Sequence, residues 1–165
     1  AASVAASQLV ALSNAESEGL SRLLPTALAK IYDVLADAHR AAKPPAAADD
    51  DEVDDFEVDE TAASSLRAAK ELLAHERWIW LGAGDFATAR SVAFSAPPEL
   101  APYLHACPRH LAESHGALFD ALGVRSTFDQ NDFAEASRQL FHAAAQPLGD
   151  GDLALSLRLV SCAAD

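Results

Sequence analysis

The sequence predicts an α+β fold, mostly helical, with a small antiparallel β-hairpin or sheet packed on helices. Three observations carry that expectation. Leu20, Leu23, Leu24, Leu28, Ile31, Tyr32 and Leu35 recur at steps of three and four, the spacing of an amphipathic helix with one apolar stripe. Trp78-Ile-Trp-Leu and Ser91-Val-Ala-Phe94 have the aromatic and β-branched content of strands, and Gly82-Ala-Gly84-Asp85 between them is a turn signal. Helical spacing then returns at Leu111, Leu118, Phe119 and Leu122, and again at Phe133, Leu140 and Phe141.

Each element follows from local chemistry. Ala5 to Leu12 reads as a short helix or a frayed turn. Pro25 lies inside the first long stripe, so it either occupies the first helical turn, with the helix beginning near Leu24, or kinks a longer helix. Lys43-Pro44-Pro45 stops that helix. Thr61 is placed to cap a helix running through Glu76, with Leu66, Ala69, Leu72 and Leu73 on one face. Pro97, Pro98, Pro102 and Pro108 impose an irregular segment. A helix over His110–Leu122 follows, with Gly123 just past its end, where a positive φ costs glycine least. Val124–Phe128 suits a short edge strand. Asp129 or Asn131 caps a further helix through Ala145, Pro147–Gly151 reads as a turn, and Leu153–Cys162 reads as a closing helix.

At 165 residues the chain is expected to form one domain, residues 1–165, able to bury a real core. It contains no methionine, which reads as a piece of a longer protein. Thirty-eight alanines favour helix. Nine of the twelve residues from Asp49 to Glu60 are acidic, and removing them from the net charge of −13 leaves −4. Such a run cannot bury enough apolar surface to offset ordering entropy, so about residues 43–60 are expected to be a disordered acidic loop. Its spacing lacks the glycine and terminal glutamate of an EF-hand loop. No basic run exists to neutralise phosphates, so no nucleic acid is expected as a partner. No apolar run approaches membrane-spanning length, and residues 1–10 lack the features of a signal peptide, so no membrane partner is expected. Cys107 and Cys162 are the only thiols, which suits a reducing compartment rather than a disulfide framework.

Two stretches imitate chemistry. Gly82-Ala-Gly84-Asp-Phe-Ala87 after a strand matches a relaxed dinucleotide fingerprint, but that mechanism needs a helix directly after the glycines and further βαβ units, which the sequence does not offer. His105, Cys107, His110, Glu113 and His115 are metal-ligating types, yet His115 falls on a different helix face from His110 and Pro108 interrupts the approach of Cys107. Surface histidines with one small buried cysteine are the simpler reading. Ser95 and Ser114 stand in no nucleophile-elbow context, and Asp85 and Glu99 read as loop caps. No catalytic, cofactor-binding or metal-binding residue is therefore assigned, and no cofactor is expected. A small nucleotide-binding or metal-binding enzyme domain, using the Gly82/Gly84 turn or the His105–His115 cluster, is the alternative. An acidic docking protein acting through Asp49–Glu60 is a third option.

The aromatic set has a structural account. Trp78, Trp80, Phe86, Phe94, Tyr103, Phe119, Phe128 and Phe133 can join one core under a small sheet. Trp78 and Trp80 share one strand face and Ile79 and Leu81 the other, so helices cover both faces or one face is an interface. If a partner surface exists, Trp78, Trp80, Phe86 and Tyr103 are its candidates.

The order of these landmarks resembles the repeat region of sacsin-like proteins, large eukaryotic chains that carry Hsp90-like ATPase domains. The resemblance runs through Leu24-Pro25, Ile31-Tyr32, Trp78 to Gly82, Phe86, Val92 to Phe94, Pro102 to Leu104, Pro108, Leu122 to Val124, Phe128 and Asp132-Phe133. It covers roughly residues 20–145 and departs from the family pattern at the acidic insertion after Pro45. It implies a non-catalytic structural or interaction module of a cytoplasmic chaperone or protein quality-control scaffold. Its partners would be other domains of the same large chain, chaperones or client proteins. No ATPase motif is present, so ATP binding is not carried over.

Overall fold

In the computed structural model, residues 1–14, 24–42, 60–144 and 148–164 are described. The expected α+β, mostly helical fold is observed. Helix α1 spans Ala2–Ser13, α2 Leu24–Ala42 and α3 Glu60–Leu73. Pro25 sits in the first turn of α2, where its missing N–H costs nothing. Leu20, Leu23 and nearly all of the acidic run lie outside the described residues; Glu60 already belongs to α3. The helix expected to reach Glu76 stops at Leu73, because the chain turns there into a hairpin: the Trp78 N–H donates to the Ala87 carbonyl at 3.0 Å, and Arg77 Nε donates to the Phe86 carbonyl at 2.6 Å.

The strand pairing differs from the expectation. Strand β1 (Ile79–Gly82) pairs antiparallel with β2 (Asp85–Ala87), not with the Ser91–Phe94 segment. The reason is the turn. Gly82, Ala83 and Gly84 all have positive φ, at 106°, 51° and 91°, which reverses the chain at once and leaves Phe86 opposite Trp80. Strand β3 (Val92–Ala93) instead runs parallel to β4 (His105–Ala106). On its other side Phe94 N–H donates to the Arg125 carbonyl and Ser95 N–H to that of Ser126, so the expected Val124–Phe128 edge strand is reduced to one bridge at Arg125.

Helix α4 spans Arg109–Ala121, α5 Gln130–Ala143 and α6 Asp150–Ala164. Gly151, expected in a turn, is already helical. Beyond α4, Gly123 has φ +99°, its N–H donates to the Asp120 carbonyl, and Val124 N–H reaches back to that of Phe119. That pair of bonds is the Schellman closure. Asp129 caps α5: its carboxylate accepts from Asn131 N–H at 2.8 Å and Asp132 N–H at 3.1 Å, while Asp132 Oδ2 accepts from Asp129 N–H at 2.9 Å. The backbone N–H of Asp132 is the main reason the Asp129 carboxyl is held below its usual range, and the Asn131 N–H and the Arg125 guanidinium act in the same direction.

The aromatic residues do not share one core. One cluster gathers α1, α2, α3, the β1–β2 hairpin and α4 around Tyr32, Trp78 and Phe119. A second joins α5 and α6 to the Pro98–Leu100 turn, with Phe133, Leu140 and Leu159 buried and Tyr103 and Phe128 against them. Two expected core residues stay outside both: Phe141 is 54% exposed and Leu72 38%. Each adjoins a buried leucine on its helix (Phe141 follows Leu140, Leu72 precedes Leu73), and one step of 100° carries it off the apolar stripe.

Glycine substitutions separate backbone strain from packing. A Cβ at Gly123 meets nothing within 4 Å, so Gly123→Ala carries only the left-handed backbone cost. It is expected to lower unfolding free energy by about 1–2 kcal/mol, read as a shift in urea midpoint at constant m. Gly116→Ala, inside α4 with Phe94 Cε1 4.0 Å away, is expected to be neutral or to stabilise by up to about 1 kcal/mol. Equal effects at both sites would contradict this account.

Candidate functional site

The sequence singles out the stretch from Trp78 to Phe133, and packing uses most of it. Tyr32 is completely buried, and its hydroxyl donates to the Trp78 carbonyl at 2.8 Å and accepts from the Trp80 N–H at 3.2 Å. Burial raises its phenol well above the ordinary range. The rings of Tyr32, Trp78 and Phe119 meet edge to face with centroids 5.2–6.3 Å apart. Each such pair adds about 0.5–1.5 kcal/mol beyond the area it buries.

The histidine–cysteine cluster is dispersed. His115, expected at the surface, is 9% exposed. It stacks with Phe119 and lies tilted against Tyr32, and its Nε2 donates to Asp33 Oδ1 at 3.1 Å, tying α4 to α2. Leu111, Leu118 and Phe119 are the other buried residues of α4, and His115 completes that stripe at the point where the helix kinks, with φ −131° and ψ 17°. His110 instead lies against Trp80, with centroids 6.3 Å apart. Burial pushes the Cys107 thiol up to about 11, and its Sγ points to the Pro108 carbonyl at 3.8 Å. His105 on β4 is half-buried, and desolvation lowers its pKa despite a hydrogen bond to the Pro102 carbonyl. Among the described residues, no group of three or more His, Cys, Asp or Glu is placed to hold a metal ion. The Gly82–Gly84 turn leads directly into β2, not into a helix, so it presents no helix N-terminus to a pyrophosphate.

Of the four aromatic residues considered for a partner surface, Trp78 is 0% exposed and Phe86 5%. They are core residues because the hairpin lies against α2 and α4, so the surface expectation is corrected for both. Trp80 and Tyr103 are half-buried.

A concavity lies elsewhere, along the seam between the two cores. It is a groove of about 800 Å³. One wall carries Arg77, Phe86, Thr88 and Arg90; the other carries Tyr103, His105, Arg125, Asp132, Glu135 and Arg138. Arg125 bridges Asp129 and Asp132, and Arg138 pairs with Glu135 at 3.0 Å. The arginines stand at positions 77, 90, 125 and 138, so no local basic run reveals them in the sequence. Only the fold assembles them.

Among the described residues no helix is long and apolar enough to cross a membrane. Compared with protein-family models, with curated proteins and with solved structures, the chain matches none.

Two outcomes follow from the buried hydroxyl and thiol. Tyr32→Phe leaves a buried carbonyl and amide unsatisfied and is expected to cost about 1–3 kcal/mol in denaturant unfolding, whereas a change below about 0.5 kcal/mol would mean the bridge is dispensable. Cys107 has its folded pKa raised from 9.0 to about 11. The neutral thiol is thus favoured in the folded state, and its contribution is complete below pH 9 and falls away as pH rises to about 11. At pH 8 Cys107 is therefore held as the neutral thiol. Iodoacetamide with mass-spectrometric readout is expected to modify half-buried Cys162 first and Cys107 only on unfolding. Equal rates would refute the buried, unactivated assignment.

Proposed function

We propose that this chain is a non-catalytic structural and interaction module of a chaperone or protein quality-control scaffold of the sacsin-like kind, acting in the cytoplasm. Its partners on this reading are other domains of the same large chain, chaperones and client proteins. One observation carries the reading: the reactive side chains of the landmark region are taken up by packing. The Tyr32 hydroxyl joins α2 to β1, the His115 imidazole joins α2 to α4, and the Cys107 thiol is buried and held neutral. A catalytic group needs a pKa matched to its task and access to substrate. These three lack the second, and burial moves the hydroxyl and the thiol away from the first.

The residues on which the family resemblance rests each have a structural job in this fold. Ile31-Tyr32 supplies the buried hydroxyl, Trp78–Gly82 the strand that receives it, and Leu122-Gly123-Val124 the helix closure. A repeated module would need these positions for folding in every copy, whatever its surface contacts.

Sequencing the source transcript on both sides of Ala1 and Asp165 tests the proposal. The expected result is a much longer reading frame with further Trp-Ile-Trp-Leu-Gly modules and an Hsp90-like ATPase domain. A start and a stop immediately flanking the chain would overturn it. Calorimetric titration with Mg-ATP, NAD or zinc is expected to give no saturable heat. Saturable binding that disappears in Gly82→Ala or His110→Ala would favour the enzyme reading instead.

A further inference from the structure

The chain as a whole carries −13, yet four of its twelve basic side chains line one groove at the seam between the cores. The two carboxylates in that lining, Asp132 and Glu135, are already engaged by Arg125 and Arg138. Those pairs neutralise each other. Arg77 and Arg90 remain. Arg77 is fixed through Nε to the Phe86 carbonyl, and its two Nη groups make no hydrogen bond or ion pair among the described residues. Arg90 is exposed and makes no ion pair among the described residues.

We infer that this groove docks a short acidic peptide segment of a partner protein, with carboxylates on Arg77 and Arg90 and an apolar side chain against Tyr103. A guanidinium fork matches a carboxylate in two parallel hydrogen bonds. A volume of about 800 Å³ suits a few residues of extended chain. The two wall carboxylates and the acidic remainder of the chain disfavour a long polyphosphate, whose binding needs a continuous basic track. The inference goes beyond the module reading, since a packing module need not have this groove.

The test is fluorescence anisotropy with the intact chain and a labelled Glu-Asp-Glu-Phe-Asp-Glu peptide. Saturable binding is expected, weakening about tenfold as salt rises from about 50 mM to about 300 mM, because exposed ion pairs are screened. Arg90→Gln is expected to weaken binding severalfold at unchanged melting temperature, since that side chain holds no part of the fold. Arg77→Gln combined with it is expected to reach about tenfold or more. Replacing Arg67 and Arg158, exposed and outside the groove, by Gln is the charge-matched control and is expected to change nothing.

Four results would overturn the inference: no saturable binding, equal weakening in the control, tighter binding of a single-stranded RNA of equal charge, or binding that appears only when the acidic residues of positions 49–59 are neutralised. The last would make the chain's own run the occupant. None of these touches the module proposal, which the reading frame and the small-molecule titrations decide.

Discussion

One buried hydroxyl holds the larger half of this fold in register. Tyr32 on α2 reaches β1 and satisfies a carbonyl at Trp78 and an amide at Trp80, on either side of Ile79. Trp80 lies opposite Phe86 on β2, yet its N–H and the Trp78 carbonyl bond to the Tyr32 hydroxyl rather than to the hairpin partner. A buried peptide group without a partner costs about as much as a lost hydrogen bond, so the strand is tied to this one tyrosine. The same ring contacts Trp78, Phe119 and His115, and through them α4. Helix, hairpin and second helix therefore share one anchor.

That anchor also explains why there are two cores and a seam. The larger cluster closes around Tyr32, and its apolar faces are filled from α1, α2, α3, the hairpin and α4. Helices α5 and α6 find no room there and bury their stripes on each other and on the Pro98–Leu100 turn. The parallel β3–β4 pair and the bridge to Arg125 join the halves through backbone bonds. Polar side chains collect along that junction because neither apolar stripe extends over it.

The helices were legible because periodicity is a local signal: the α2 stripe from Leu24 to Leu35 and the glycine after α4 read correctly from neighbouring residues, while those residues allow two placements each for Pro25 and for the α5 cap, of which the fold takes the first turn and Asp129. The strand pairing was not. Ser91–Phe94 has better strand chemistry than Asp85–Ala87, but three consecutive positive φ angles commit the chain to the nearer partner. Ala83 gives no composition cue for its own positive φ. His115 was misplaced by residue type, although its spacing from Leu111 and Phe119 puts it on the buried stripe. The groove was illegible for another reason. Its arginines are separated by 13, 35 and 13 residues, and only tertiary structure brings them together.

The placement of charge sharpens the division between what packs and what stays available. Inside the larger core, each reactive group is bonded or desolvated: the Tyr32 hydroxyl by two backbone groups, His115 by Asp33, Cys107 by burial. Recruiting any of them for chemistry would mean undoing a contact between elements, and the cost would fall on the fold. Along the seam the reverse holds. Arg90 can be replaced without breaking a contact among the described residues, and Arg138, exposed like its partner Glu135, can exchange partners at a cost of about 1 kcal/mol or less. A surface that must change partners is best built from such groups, because its fold does not depend on which partner is present. On this argument the aromatic landmarks hold the fold together with Arg77 and Arg125, whereas Arg90 and Arg138 on the seam hold no two elements together.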